Sequence, residues 1–147
     1  MTAPLTSEPF AHHFDESHHQ FREAAAAFVR SEIAPHVQAW EEAESFPREL
    51  YDKAAAAGLL GPALPEELGG GGLDSVTHML LERELGRTNL ALHWEVYRPS
   101  NILQGGTPEQ IEEYLMPCIR GERFDCVSMS EPDAGSDVRG ITTRAVQ

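Results

Sequence analysis

The chain has 147 residues, 41% of them hydrophobic, with 24 acidic side chains against 11 basic ones and a formal net charge of −13. That balance repels nucleic acid and anionic lipid, and the basic residues are dispersed rather than clustered, so a polyanion-binding surface is excluded as a first reading. No window approaches the roughly 20 apolar residues of a spanning helix, two cysteines are too few for a disulfide framework, and residues 1–14 resemble no targeting signal, which together predict a cytoplasmic protein with reduced thiols and one core.

Residues 1–15 hold Pro4, Pro9 and paired histidines and read as a flexible N-terminus. From there Phe21, Ala25, Phe28, Val29 and Ile33 recur at three- and four-residue spacing, with Arg22, Glu23, Arg30 and Gln38 on other faces. This predicts an amphipathic helix capped by Asp15 or Ser17. Pro35 removes a backbone donor inside that pattern, so the helix breaks or kinks before continuing towards Trp40. Ser45, ahead of Phe46-Pro47-Arg48-Glu49, reads as the cap of a second helix whose alanine-rich run stops at Gly58.

Residues 59–73 carry Pro62, Pro65 and Gly69-Gly70-Gly71-Gly72 and predict a loop, with the four glycines as a flexible turn. Asp74 or Ser75 then opens a third helix that ends at Gly86. Residues 89–103 are apolar enough for a fourth, buried helix, distorted by Pro99. A fifth starts at Thr107-Pro108-Glu109-Gln110, where threonine caps, proline suits the first position and glutamine completes a capping box. Ile111, Tyr114, Leu115 and Cys118 share one face of it, and Gly121 closes it. Residues 124–130 turn extended and alternating, and 141–147 read as a second strand, so a helical region meets the start of a β region.

Chemistry concentrates in residues 128–137, Ser-Met-Ser-Glu-Pro-Asp-Ala-Gly-Ser-Asp, where an extended segment runs into a turn of small residues. Backbone N–H groups and hydroxyls gathered at such an edge suit a phosphate or a polar ring, although clusters of this kind also serve as ordinary turns. The stretch Ser130-Glu131-Pro132-Asp133-Ala134-Gly135-Ser136-Asp137 resembles the signature of the acyl-CoA dehydrogenase family, which usually has threonine where Ser130 stands. Further similarities follow in the family's order: Gly58-Leu59-Leu60-Gly61, Pro65-Glu66-Glu67-Leu68-Gly69-Gly70, Glu84-Leu85-Gly86-Arg87, residues 110–115, and Thr143-Arg144-Ala145.

The resemblance implies a mostly α fold: an N-terminal helical bundle domain over residues 16–123, followed at 124–147 by the first strands of a β-barrel-like middle domain. It implies FAD as cofactor, lined by Val127, Ser128, Met129, Ser130, Gly135 and Ser136, with Met129 and Ser130 against the isoalloxazine. Ser136 would also be the substrate-binding residue, facing the pyrophosphate or the acyl-CoA. The reaction implied is α,β-dehydrogenation of an acyl-CoA thioester, with electron-transfer flavoprotein or a similar acceptor as partner and a homo-oligomer at full length. The family's catalytic glutamate and its tryptophan-containing flavin-shielding segment have no matching position in this sequence, so no catalytic residue is assigned and the 147-residue chain alone is expected to be inactive. An acyl-CoA oxidase-like or nitroalkane oxidase-like flavoenzyme on the same fold, and a non-catalytic module that assembles with another dehydrogenase subunit, are the alternative readings.

Other candidates carry blander readings. Glu131 precedes Pro132 within the signature and reads as structural, and Asp137 is expected to bond local backbone. The glycine run matches neither a dinucleotide fingerprint nor a phosphate loop. His12, His13, His18 and His19 read as solvated, and no metal is expected. Cys126 is expected to be a buried, unreactive thiol. Trp94 and Tyr97 read as core packing, which the resemblance would place near an acyl pocket, and His93 is unassigned.

Overall fold

The computed structural model describes residues 11–88, 101–126 and 128–146. Helix α1 (Glu16–Phe28) begins at Asp15, whose carboxylate accepts from the N–H groups of Ser17 and His18 at 2.9 and 3.1 Å. Helix α4 (Ser75–Leu85) begins in the same way at Asp74, which accepts from the Thr77 N–H and hydroxyl at 2.8 and 2.9 Å. Both starts satisfy backbone donors that would otherwise be orphaned. A buried imidazole joins them: His18 Nδ1 accepts from the Asp15 N–H at 3.0 Å, while Nε2 donates to Asp74 Oδ2 at 3.2 Å.

Two prolines shape the helices at the same offset. Val29–Ile33 is a π-helical turn in which the Ala34 N–H reaches Val29 O at 2.8 Å, and Pro35 follows; Ile111–Leu115 is a second, closed from Met116 N–H to Ile111 O, and Pro117 follows. Proline cannot donate to the carbonyl four residues back, and its ring collides with it, so the preceding turn widens. At the second site the carbonyl that Pro117 cannot serve, Glu113 O, accepts instead from Arg123 Nη1 at 3.1 Å.

Beyond the first wide turn, α2 (Val37–Ala43) and α3 (Glu49–Ala56) follow. Ser45 does not cap α3: its hydroxyl donates to Ala43 O at 3.2 Å, and the helix starts at Glu49 behind Arg48 with no side-chain cap. Beyond α3, Gly58 takes a left-handed φ of +67°. The glycine-rich loop is pinned rather than flexible. Gly70, Gly71, Gly72 and Leu73 donate back to the carbonyls of Pro65, Gly61, Leu64 and Pro62, and a Cβ on Gly70 would lie 2.3 Å from Leu64 O.

The predicted fourth helix falls on residues 89–103, of which 89–100 lie outside the described residues; Asn101–Gly105 is a short 3₁₀ segment. The fifth helix starts as predicted, with the Thr107–Gln110 capping box formed at α5 (Pro108–Gln110), and continues through the wide turn into α6 (Met116–Ile119). Tyr114 is 44% exposed and does not share the buried face of Leu115 and Cys118, because a wide turn rotates less per residue than an α-helix.

The main core brings Ala25, Phe28, Val29 and Ile33 against Leu50, Tyr51 and Ala54 of α3, Leu59 and Leu60 of the loop, and Leu81 and Leu85 of α4. Leu64, Leu115 and Ile119 form a second cluster. Arg22, expected on an outer face, is 2% exposed: its Nε lies 3.3 Å from Oε1 of the fully buried Glu84, whose Oε2 lies 2.7 Å from Arg87 Nε. A charge can face the core here because a second charge on α4 meets it. Among the described residues, no helix is long and apolar enough to cross a membrane.

Candidate functional site

The signature stretch leaves the helical region through an aromatic contact. Phe124 stacks on Tyr51 with ring centroids 5.3 Å apart, and the Arg48 guanidinium lies 5.0 Å from the Tyr51 centroid while donating to Gly121 O. Gly121 needs its left-handed φ of +74° at this exit, where a Cβ would meet Tyr51 O at 3.0 Å. Cys126, expected to be buried, is exposed; the buried thiol is Cys118, which desolvation pushes upward in pKa.

Residues 128–146 are extended or turned and form no ladder among the described residues; pairing is confined to one bridge, in which Glu131 and Ala134 exchange N–H···O bonds of 2.8 and 3.2 Å. Of the strand expected at 141–147, residues 141–146 are described, and within them Thr142 and Thr143 tie back to Glu131. Glu131 Oε2 accepts from the Thr142 N–H at 2.8 Å and its hydroxyl at 3.0 Å, and Oε1 accepts from the Thr143 N–H at 2.9 Å. Two consecutive N–H groups converge on one carboxylate, whereas along a strand they would point to opposite sides. The Thr142 N–H, with Thr143 adding to it, holds the Glu131 carboxyl down at about 2.

Within this frame the side chains divide cleanly. Ala134 is buried, with Gly140 packed close to its Cβ, and Asp137 accepts from the Arg139 N–H at 3.1 Å as the cap of Val138–Gly140. Asp137 thus serves local backbone, as expected, while Glu131 has a structural role through Thr142 and Thr143. Ser128, Ser130 and Ser136 are exposed, Met129 is 58% exposed, and none of these hydroxyls has a hydrogen-bond partner among the described residues. Gly135 has no left-handed φ, and a Cβ built there would meet nothing within 4 Å. Neither backbone conformation nor packing against the described residues accounts for glycine at that position. Val127 lies outside the described residues, as do Trp94, Tyr97 and His93.

The loop therefore offers hydroxyls, open backbone and one soft apolar side chain on a face that the described residues leave exposed, a donor set suited to an anionic group beside a polar ring. An open cavity of about 550 Å³ elsewhere, between the end of α3, the glycine loop and α6, is lined by Asp52, Ala55, Gly58, Ile119 and Arg120 and takes in none of these residues. Among the described residues no group of His, Cys, Asp and Glu side chains could hold a metal ion.

Comparison with known proteins identifies the family of the helical region. A family model described as acyl-CoA dehydrogenase, N-terminal domain, matches residues 15–122. The long-chain specific acyl-CoA dehydrogenase of Rattus norvegicus mitochondria is 35% identical over 137 residues, covering 90% of this chain and 32% of that protein. The caffeyl-CoA reductase-Etf complex subunit CarC of Acetobacterium woodii is 34% identical over 140 residues, covering 91% of this chain and 37% of its own length. Among solved structures, a glutaryl-CoA dehydrogenase from Mycobacterium smegmatis in complex with FADH2 superposes with a TM-score of 0.79 at 26% identity, over 96% of this chain and 38% of that one. The chain spans about a third of the length of these relatives. With the family model matching residues 15–122, well over half of its length, the chain belongs to the acyl-CoA dehydrogenase family.

Proposed function

We propose that this chain supplies the helical domain and part of the flavin wall of an FAD-dependent acyl-CoA dehydrogenase, an enzyme that introduces an α,β double bond into an acyl-CoA thioester. The observation that carries the reading is the exposed face of residues 128–136, where the hydroxyls of Ser128, Ser130 and Ser136 have no partner among the described residues and a Cβ at Gly135 would meet none of them. The flavin, when bound, supplies the hydride acceptor, chemistry that no side chain provides.

In this reading Ser130 and Met129 hold the ring, and Ser136 and the open backbone at Gly135 hold the pyrophosphate or the acyl-CoA phosphates, so the chain's own part is binding and orientation. No residue of this chain is assigned as catalytic base. The division into residues 1–15, 16–123 and 124–147 belongs to the same proposal, as do an electron-transfer flavoprotein or similar acceptor and homo-oligomeric assembly. The CarC relative, named for its Etf complex, supports the acceptor.

The test is FAD titration of the purified chain, followed by quenching of flavin fluorescence, for the wild type and for the Ser130→Ala/Ser136→Ala variant. Binding that weakens in the variant supports the reading. Absence of binding, or equal binding by both proteins, overturns it.

A further inference from the structure

We infer that Glu131 is a positioning residue of the flavin loop, its carboxylate tying Thr142 and Thr143 back to the loop's start and thereby setting Ser130 and Ser136 at their spacing. The inference rests on the flavin-wall reading above and extends it to a side chain engaged with the loop's own residues Thr142 and Thr143.

Three features carry it. The carboxylate collects three bonds of 2.8 to 3.0 Å from residues 11 and 12 positions further along, so it closes the whole signature into a ring. Glu131 is also fixed at its backbone, where both its N–H and its carbonyl engage Ala134. Other anchors are few: the segment has no ladder among the described residues, Ala134 is its one buried side chain between 128 and 146, and Val138 is 55% exposed. A loop without sheet or core takes its shape from such polar ties, and ties to an ionised group are the stronger kind.

The chemistry makes glutamate specific here. Glutamine keeps one acceptor oxygen but turns an NH2 group towards an N–H donor, so one of the two backbone bonds becomes a donor–donor contact. Aspartate keeps both acceptors and the charge on a shorter stem. The Thr142→Val variant removes the hydroxyl bond alone and leaves both N–H bonds in place.

The experiment compares wild type, Glu131→Gln, Glu131→Asp and Thr142→Val by FAD affinity and by the visible circular dichroism of the bound flavin, with far-UV dichroism reporting the helical region. The expected result is FAD binding about tenfold or more weaker in Glu131→Gln, with an altered flavin spectrum. Glu131→Asp should recover part of the affinity and the wild-type spectrum, Thr142→Val should show a smaller loss of the same kind, and the helical signal should be unchanged throughout. If Glu131→Gln loses its helical signal, Thr142→Val carries the comparison, and wild-type affinity there overturns the inference. Wild-type affinity and spectrum in a folded Glu131→Gln overturns it while leaving the flavin-wall reading standing. No FAD binding by the wild type overturns that reading, and the inference with it.

Discussion

Arg22 on α1 and Glu84 on α4 meet with Nε and Oε1 3.3 Å apart, both side chains out of reach of water. Two charges taken from solvent are tolerated because each is the other's compensation, with Arg87 closing the second carboxylate oxygen at 2.7 Å. Removing Arg22 leaves Glu84 buried with half-exposed Arg87 as its remaining ion-pair partner among the described residues. Arg22→Met alone should therefore cost about 3–5 kcal/mol of stability, read from urea unfolding. Adding Glu84→Leu should recover most of that loss, since Arg87 is half-exposed and rehydrates. A double variant no better than the single would show that the pair is not the source of the cost.

Gly135 separates the needs of the fold from those of a ligand. With open space around its missing Cβ and no left-handed φ, Gly135→Ala should change stability by no more than about 1 kcal/mol, with stabilisation the expected direction. FAD affinity should nevertheless fall, because the added methyl occupies the surface over which the cofactor would lie. Unchanged affinity would remove Gly135 from the proposed wall.

Glu131 dictates a pH dependence. Its folded-state carboxyl is lowered from 4.5 to about 2, so the clamp on Thr142 and Thr143 contributes fully above the unfolded value and is lost as pH falls through about 2. Asp15 follows the same sign, drawn down from 3.8 to about 2 chiefly by the Ser17 hydroxyl and then by the His18 N–H. In an acid titration followed by amide chemical shifts, Thr142 and Thr143 should move together with a midpoint near 2. A midpoint at the ordinary carboxylate value would show that the carboxylate is not engaged.

Two capping candidates that look alike in the sequence should differ in thermal unfolding. Thr107→Ala removes a formed capping box and should cost about 1 kcal/mol. Ser45→Ala removes only a hydroxyl bond to Ala43 O on the exposed surface and should be close to neutral. Equal losses would contradict the assignment of the α3 start to Glu49.

What was legible in the sequence was what depends on near neighbours. Asp15, Asp74 and the Thr107–Gln110 pair declare helix starts because each cap and its backbone donor lie within three residues, and Pro35 declares an interruption because its missing donor is its own. Arg22 was misplaced because a charge is consigned to the surface unless its partner is known, and Glu84 stands 62 positions away. Over 141–146 no ladder forms among the described residues, and the N–H groups of Thr142 and Thr143 meet a carboxylate at position 131, a tie too distant for a local pattern to declare. At the candidate site, the hydroxyls of residues 128–136 could be read from the signature, whereas the clamp beneath them needed coordinates.

The prolines at 35 and 117 have a last consequence. Each wide turn before them has a covalent origin, so it does not depend on how well the side chains around it fit, and better packing cannot anneal it back to regular spacing. Cooperative hydrogen bonding along each helix is interrupted there whatever the conditions. Under thermal stress these are the seams at which each helix should divide into its two regular pieces.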